Sequence, residues 1–284
     1  MKSMWPKAPT YWIDNKRLHI SIPFTWDLLT VYRKLKNSFG LLHNDVVVGG
    51  PAVELMPGFF SKLSFVSEGH KMPGVLQRVN PLATRTTVGC VRKCKFCAIG
   101  TGRIEGNYAE LDEWPDLPVI CDNNLLAASK AHFDRVIDRL KVHGWADFNQ
   151  GVDSRLLTDY HAGRMAEIKK PTIRLALDHM DYRDKWQEAF DRLRSAGIAK
   201  SNISSYCLVG FQSDPKESWQ RCEWVESHGV LAYPMWFHGL DQLHKNICTS
   251  EQKLLGWSDT ERKHIMGYYY KHRGIKPTFS GILS

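Results

Sequence analysis

TVGCVRKCKFCAIGTG, residues 87–102, carries three of the chain's seven cysteines, Cys90, Cys94 and Cys97, in the spacing CxxxCxxC. The β-rich run TRTTVG, residues 84–89, leads into it, and the segment from Ala98 to Pro118 that follows has three glycines, two prolines and little helical periodicity. The spacing therefore predicts three thiols on a long loop that leaves the end of a strand.

Downstream of this loop, short β-rich runs alternate with amphipathic segments, the pattern of βα units that build a parallel sheet. Candidate strands are residues 84–89, 118–122, 146–150, 172–178, 203–210 and 230–237. Between the second and third, Leu126, Phe133, Val136, Ile137 and Leu140 recur at three- and four-residue steps and predict a helix with one apolar face. Asp214-Pro215-Lys216-Glu217 has an N-cap acceptor, proline at the first helical position and glutamate at the third. A similar box, Ser258 to Glu261, opens a C-terminal helix expected to run to Arg273. Loops after the carboxyl ends of parallel strands are where α/β barrels place their chemistry.

The three cysteines admit three fates. A structural zinc site takes four protein ligands, usually as two close pairs. Here three crowd into eight positions, and Cys121, His70 and His132 offer no second short-spaced pair. Burial as core thiols fits poorly with the interleaved Arg92, Lys93 and Lys95, since a cationic loop favours thiolates. An iron–sulfur cluster remains. Four cysteines normally hold a [4Fe–4S] cube, so three leave one iron without a protein ligand and open to a substrate or cofactor. The flanking cations then compensate the cluster's negative charge.

With Phe96 before the last cysteine, Cys90, Cys94 and Cys97 match CxxxCxφC, and the chain resembles the radical S-adenosylmethionine (radical SAM) enzymes. The resemblance covers about residues 84–240. It implies an α/β fold, a partial parallel (β/α)6 barrel, with a [4Fe–4S] cluster on the three cysteines and S-adenosylmethionine (SAM) chelating the unique iron. One electron from a partner such as flavodoxin or ferredoxin would cleave SAM to methionine and a 5′-deoxyadenosyl radical, in oxygen-sensitive chemistry.

By the same resemblance, Asp122, Asn123 and Asn124 stand where the family has an acceptor for the SAM ammonium; Asn123 or Asn124 could also cap the following helix. Gln150, Asp153 and Arg155 follow the third strand, as ribose and carboxylate ligands or as a surface ion pair. Asp178 and His179 take the place of the family's acid and serine, a departure that leaves the role of His179 open. Backbone around Val209, Gly210 and Phe211 would flank the adenine. Trp236 and His238 fall near the barrel mouth, and one of Tyr206 and Cys207 must point inward.

Residues 1–83 read as a small N-terminal β-α-β extension, from RLHISIPFTW, DLLTVYRKLKNSF and DVVVGGPAVEL. They resemble a reduced cobalamin-binding domain, but no DxHxxG motif occurs, so cobalamin is not expected. Residues 241–284 form a helical extension. The 284 residues, 43% hydrophobic and 24% charged, suit a soluble globular protein and exclude a disordered chain. No secretory signal or membrane span is evident, which places the protein in the cytoplasm, where thiols stay reduced.

A net charge of +8, and the aromatics of GYYYKHRG beside Lys271, His272 and Arg273, are compatible with a nucleotide or a nucleic-acid base as substrate. The alternatives are a peptide or small metabolite as substrate, or a non-catalytic zinc or iron–sulfur module that binds nucleic acid.

Overall fold

The computed structural model describes residues 8–39, 45–69, 72 and 74–270. His70 and the expected helix end at 271–273 lie outside them. The chain divides into two compact units, one of residues 1–83, 92–106 and 238–245, the other of 84–91, 107–237 and 246–284.

In the first unit, β1 (Thr10–Asp14) turns back onto β2 (Arg17–Ser21), and the helix α1 (Leu28–Lys34) leads to β3 (Val46–Gly49), parallel to β2. This is the expected β-α-β layer, widened by the antiparallel edge β1. The helix α2 (Pro51–Leu55) follows, then β4 (Val66–Gly69), parallel to β3, and α3 (Val75–Val79). Alternation along β2 buries Leu18 and Ile20 and leaves His19 on the other face, stacked on Trp12. Leu28 and Val31 of α1 complete the core with Val46, Val48, Val53 and Phe60. Each such side chain contributes about 1.5–3 kcal/mol on full burial.

After β5 (Ala83–Thr84), where the chain passes from the first unit to the second, come β6 (Thr87–Val88), β7 (Ala109–Glu110) and β8 (Val119–Ile120). Four βα units follow: α4 (Lys130–His143), β9 (Ala146–Val152), α5 (Asp159–Ala166), β10 (Pro171–Leu177), α6 (Arg183–Ser195), β11 (Ile203–Val209), α7 (Pro215–Ser227) and β12 (Leu231–Trp236). Two helices, α8 (Ser250–Leu254) and α9 (Asp259–Tyr270), end the described chain. The sheet has six strands in the order β12-β11-β10-β9-β8-β5, and every neighbouring pair from β8 to β12 is parallel. β5 and β12 are its edges.

The first expected strand, 84–89, is broken. Asp122 accepts hydrogen bonds from the backbone N–H groups of both Thr86 and Thr87, so the chain leaves the sheet there and β6 pairs antiparallel with β7 instead. The predicted helix between β8 and β9 starts later than its apolar period. Ser129 caps α4 by accepting from His132 N, which leaves Leu126 in a preceding 3-10 turn. The predicted cap of α7 is present, Asp214 accepting from Glu217 N at 2.7 Å.

The helices cover one face of the sheet, where Phe148, Val152, Ile173, Leu175, Leu177, Cys207, Val209 and Trp236 join a single core. The opposite face is polar. It carries the Arg174–Asp147 ion pair, and Tyr206 donates to Asn149 O at 3.0 Å. Of the two strand-β11 residues that could face inward, Cys207 therefore belongs to the helix-covered core and Tyr206 to the polar face. No described helix is long and apolar enough to cross a membrane.

Candidate functional site

Cys90, Cys94 and Cys97 are half-buried, whereas Cys121, Cys207, Cys222 and Cys248 are buried. Cys94 and Cys97 are held by consecutive turns: Cys97 N donates to Cys94 O at 3.1 Å, and Thr101 donates to Cys97 O through both N and Oγ1 at 2.9 Å. Gly100 is packed against the first of these residues, because a Cβ there would sit 2.6 Å from Cys94 N and 2.7 Å from Cys94 O. Phe96, also half-buried, stands between them.

Cys90 belongs to the second unit, where the Asn124 amide Nδ2 lies 3.8 Å from its sulfur and Asn123 Nδ2 donates to Gly89 O at 3.4 Å. Among the described residues no three His, Cys, Asp or Glu side chains stand close enough to hold a single metal ion. The donor set suits a cluster. Three soft thiols on a short loop are ligands for a multi-iron centre, which takes each cysteine on a different iron and so spreads them apart.

At the carboxyl ends of β8, β9, β10 and β11 the expected polar groups are present, with unequal roles. Asp122 is buried and structural. Both its oxygens are engaged, by Thr86 N at 2.6 Å, Thr86 Oγ1 at 2.5 Å and Thr87 N at 2.9 Å. Burial nevertheless raises its pKa against the pull of those bonds. Asn124, 3% exposed, is the hub of the triplet: Nδ2 also donates to Asp153 Oδ2 at 3.3 Å, while Oδ1 is buried with no partner among the described residues. A buried acceptor left so is open to an N–H or O–H from a water or a ligand.

Asp153 and Arg155 form a chelate, with Nε–Oδ1 2.7 Å and Nη2–Oδ2 3.2 Å, and the guanidinium lies 4.9 Å from the Tyr182 ring centroid. It is not a surface pair, since the Asp153 side chain is 8% and the Arg155 side chain 23% exposed. Asp178 makes no hydrogen bond or ion pair among the described residues. Burial pushes its carboxyl up to about 6, Arg155 and Arg221 pull it down, and Asp153 raises it further. His179 caps the turn at 180–182, its Nδ1 accepting from Asp181 N at 3.3 Å. Gln150 is exposed on β9.

Beyond β11, Val209 is fully buried, which leaves only its backbone for a ligand. Gly210, at φ +82°, lies against Trp236, and a Cβ would come within 2.5 Å of that ring. Trp236 is thus a packing residue, set edge-on to Trp257. Phe211 packs edge-on against Phe237.

Four contributors escape sequence reasoning. Buried Gln252 donates to both Gly210 O at 2.8 Å and Phe237 O at 3.1 Å, tying two strand ends together. Arg221 is fully buried, bonded to Leu208 O and to Glu217 Oε1, and the i,i+4 spacing of Arg221 from Glu217 was the one local signal. Tyr182 gave none. Tyr108, which sits across from Gly89, has a buried hydroxyl with no partner among the described residues.

No family model and no curated protein sequence matches the chain. Among solved structures, the fold is similar to that of the radical S-adenosylmethionine methyltransferase TsrM from Kitasatospora setae, determined with cobalamin and a [4Fe–4S] cluster bound. The TM-score is 0.56 at 9% sequence identity, over 79% of this chain and 64% of that one, so this chain matches just under two thirds of that protein's length. At this identity the likeness concerns the fold: a parallel α/β sheet of the kind on which a radical SAM enzyme is built.

Proposed function

We propose that the protein is a radical SAM enzyme whose sheet curves as a partial (β/α)6 barrel, with a [4Fe–4S] cluster on Cys90, Cys94 and Cys97 and SAM across the strand ends. One observation carries the reading. A polar path runs from the Cys90 sulfur through Asn124 to Asp153 and Arg155, and so links the first cysteine to the ends of the parallel strands. When bound, the cluster and SAM supply reductive cleavage to a 5′-deoxyadenosyl radical that abstracts hydrogen from the substrate.

The chain's own residues bind and orient. Asn124 Oδ1 would accept from the SAM ammonium, and Asp153, held by Arg155, would take the ribose hydroxyls. The Arg155 guanidinium, forked onto Asp153, is the cation that would meet the methionine carboxylate. Asp178 would offer a further acceptor, and the backbone of Val209 to Phe211, braced by Gln252 at Gly210 O, would flank the adenine. Asp122 and Asn123 shape this end through Thr86, Thr87 and Gly89. The protein's contribution is to position the cofactor and exclude water.

The electron comes from a flavodoxin- or ferredoxin-like partner in the cytoplasm, and the substrate is a nucleotide or nucleic-acid base. The N-terminal layer is the reduced relative of a cobalamin-binding domain, and cobalamin is no part of the proposal. Iron, sulfide and zinc analysis after anaerobic reconstitution tests it. The wild type should bind about four irons and absorb near ~400 nm, and the Cys90→Ala, Cys94→Ala, Cys97→Ala triple variant should do neither. One equivalent of zinc without iron or sulfide contradicts the proposal.

A further inference from the structure

The first unit gathers three separated stretches of chain around one side chain. Arg103, six residues past Cys97, donates through Nη1 to Asp241 Oδ2 at 2.9 Å and through Nη2 to Asp241 Oδ1 at 2.6 Å. The same Nη2 donates to Leu55 O at 2.8 Å, the last residue of α2. Two residues on, Glu105 N approaches Glu54 Oε2 of that helix at 3.4 Å. Such a bidentate fork fixes direction as well as distance.

Both ends of the clamp are themselves held. Asp241 lies in the segment 238–245, which is fastened to the N-terminal layer where Thr25 Oγ1 donates to Gln242 O at 2.7 Å and Trp26 packs on His238 at 4.5 Å between centroids. On the other side, Arg103 N donates to Ala98 O, Thr101 N to Cys97 O and Cys97 N to Cys94 O, an unbroken run of turns back to the two cysteines. Cys90 belongs to the second unit, where Asn124 Nδ2 lies 3.8 Å from its sulfur.

We propose that Arg103 is a positioning residue through which the N-terminal layer and the segment 238–245 brace the Cys94–Cys97 half of the cysteine loop. This gives the layer a function of its own, independent of whether it descends from a cofactor domain. The proposal rests on the cluster reading for its purpose, though not for its geometry.

The test compares wild type with Arg103→Gln, Arg103→Lys and Asp241→Asn. In metal-free, reduced protein, the iodoacetamide alkylation rate of each cysteine is followed by peptide mass. In reconstituted protein, iron release to a chelator is timed. Loss of a partly exposed charge-assisted fork should speed alkylation of Cys94 and Cys97 roughly tenfold in Arg103→Gln. Cys90 should be unchanged, Asp241→Asn should act in the same direction, and Arg103→Lys should recover part of the effect. Iron should leave the Gln and Asn variants faster than wild type.

Wild-type rates at Cys94 and Cys97 in both the Gln and the Asn variant overturn the brace. So does equal acceleration of all three cysteines, the signature of general loosening. A wild type that takes up no iron defeats the cluster reading instead, and the alkylation pattern still decides the brace.

Discussion

The side-chain amide of Asn124 stands 3.8 Å from the Cys90 sulfur and 3.3 Å from Asp153, so one buried side chain touches both the cysteine loop and the strand-end carboxylate. An N–H aimed at a thiolate ligand stabilises the reduced, more negative state of a cluster and raises its potential. Asn124→Ala should therefore retain iron but lower the midpoint potential by roughly 20–60 mV, the equivalent of one weak hydrogen bond for a one-electron couple. Electrochemical titration measures this, and an unchanged potential would remove Asn124 from the cluster's surroundings.

Asp178 makes stability depend on pH in an unusual direction. Its folded pKa of about 6 lies above the unfolded value of about 3.9, so between these values the folded state binds more protons. Stability should fall as pH rises from about 4 to about 6 and then level off. Asp178→Asn should remove this slope and, at pH 7, stabilise the protein by about 1–2 kcal/mol. Urea unfolding of both proteins at pH 4.5 and 7 checks the sign. A variant with the wild-type slope would show that other groups carry it.

At Gly210, just past the end of β11, the space for a side chain is already taken. A methyl there would meet the Trp236 ring at 2.5 Å, from a backbone at φ +82°. Gly210→Ala should cost about 2–4 kcal/mol through combined strain and displacement. It should also weaken SAM binding more than a core substitution of similar cost, such as Leu193→Ala on α6. Calorimetry on the matched variants separates the two effects.

Most of the second unit was legible in the sequence because its signals are local. The runs at 146–150, 172–178, 203–210 and 230–237 each contain or overlap a strand of the observed sheet, and Asp214-Pro215 starts a helix where capping chemistry says it should. The first strand was misread for a reason no window could supply. The carboxylate that breaks it at Thr86 belongs to Asp122, 36 residues on.

The same limit applies at the site. The cysteines and the polar strand ends announce themselves by residue type and spacing. Arg103 finds Asp241 across 138 residues and Gln252 finds Gly210 across 42, with nothing in the local pattern to mark either pairing. Nor does the sequence tell which member of Asp122, Asn123 and Asn124 keeps an unpaired acceptor. That depended on Thr86 and Thr87 engaging the carboxylate first.

The most direct test of the account is the cleavage of SAM itself. Reconstituted protein, reduced anaerobically with dithionite and given SAM, should release 5′-deoxyadenosine and methionine in equal amounts, while the triple cysteine variant releases none. Iron-loaded wild type that forms no 5′-deoxyadenosine, and so behaves like the variant, would contradict the assignment.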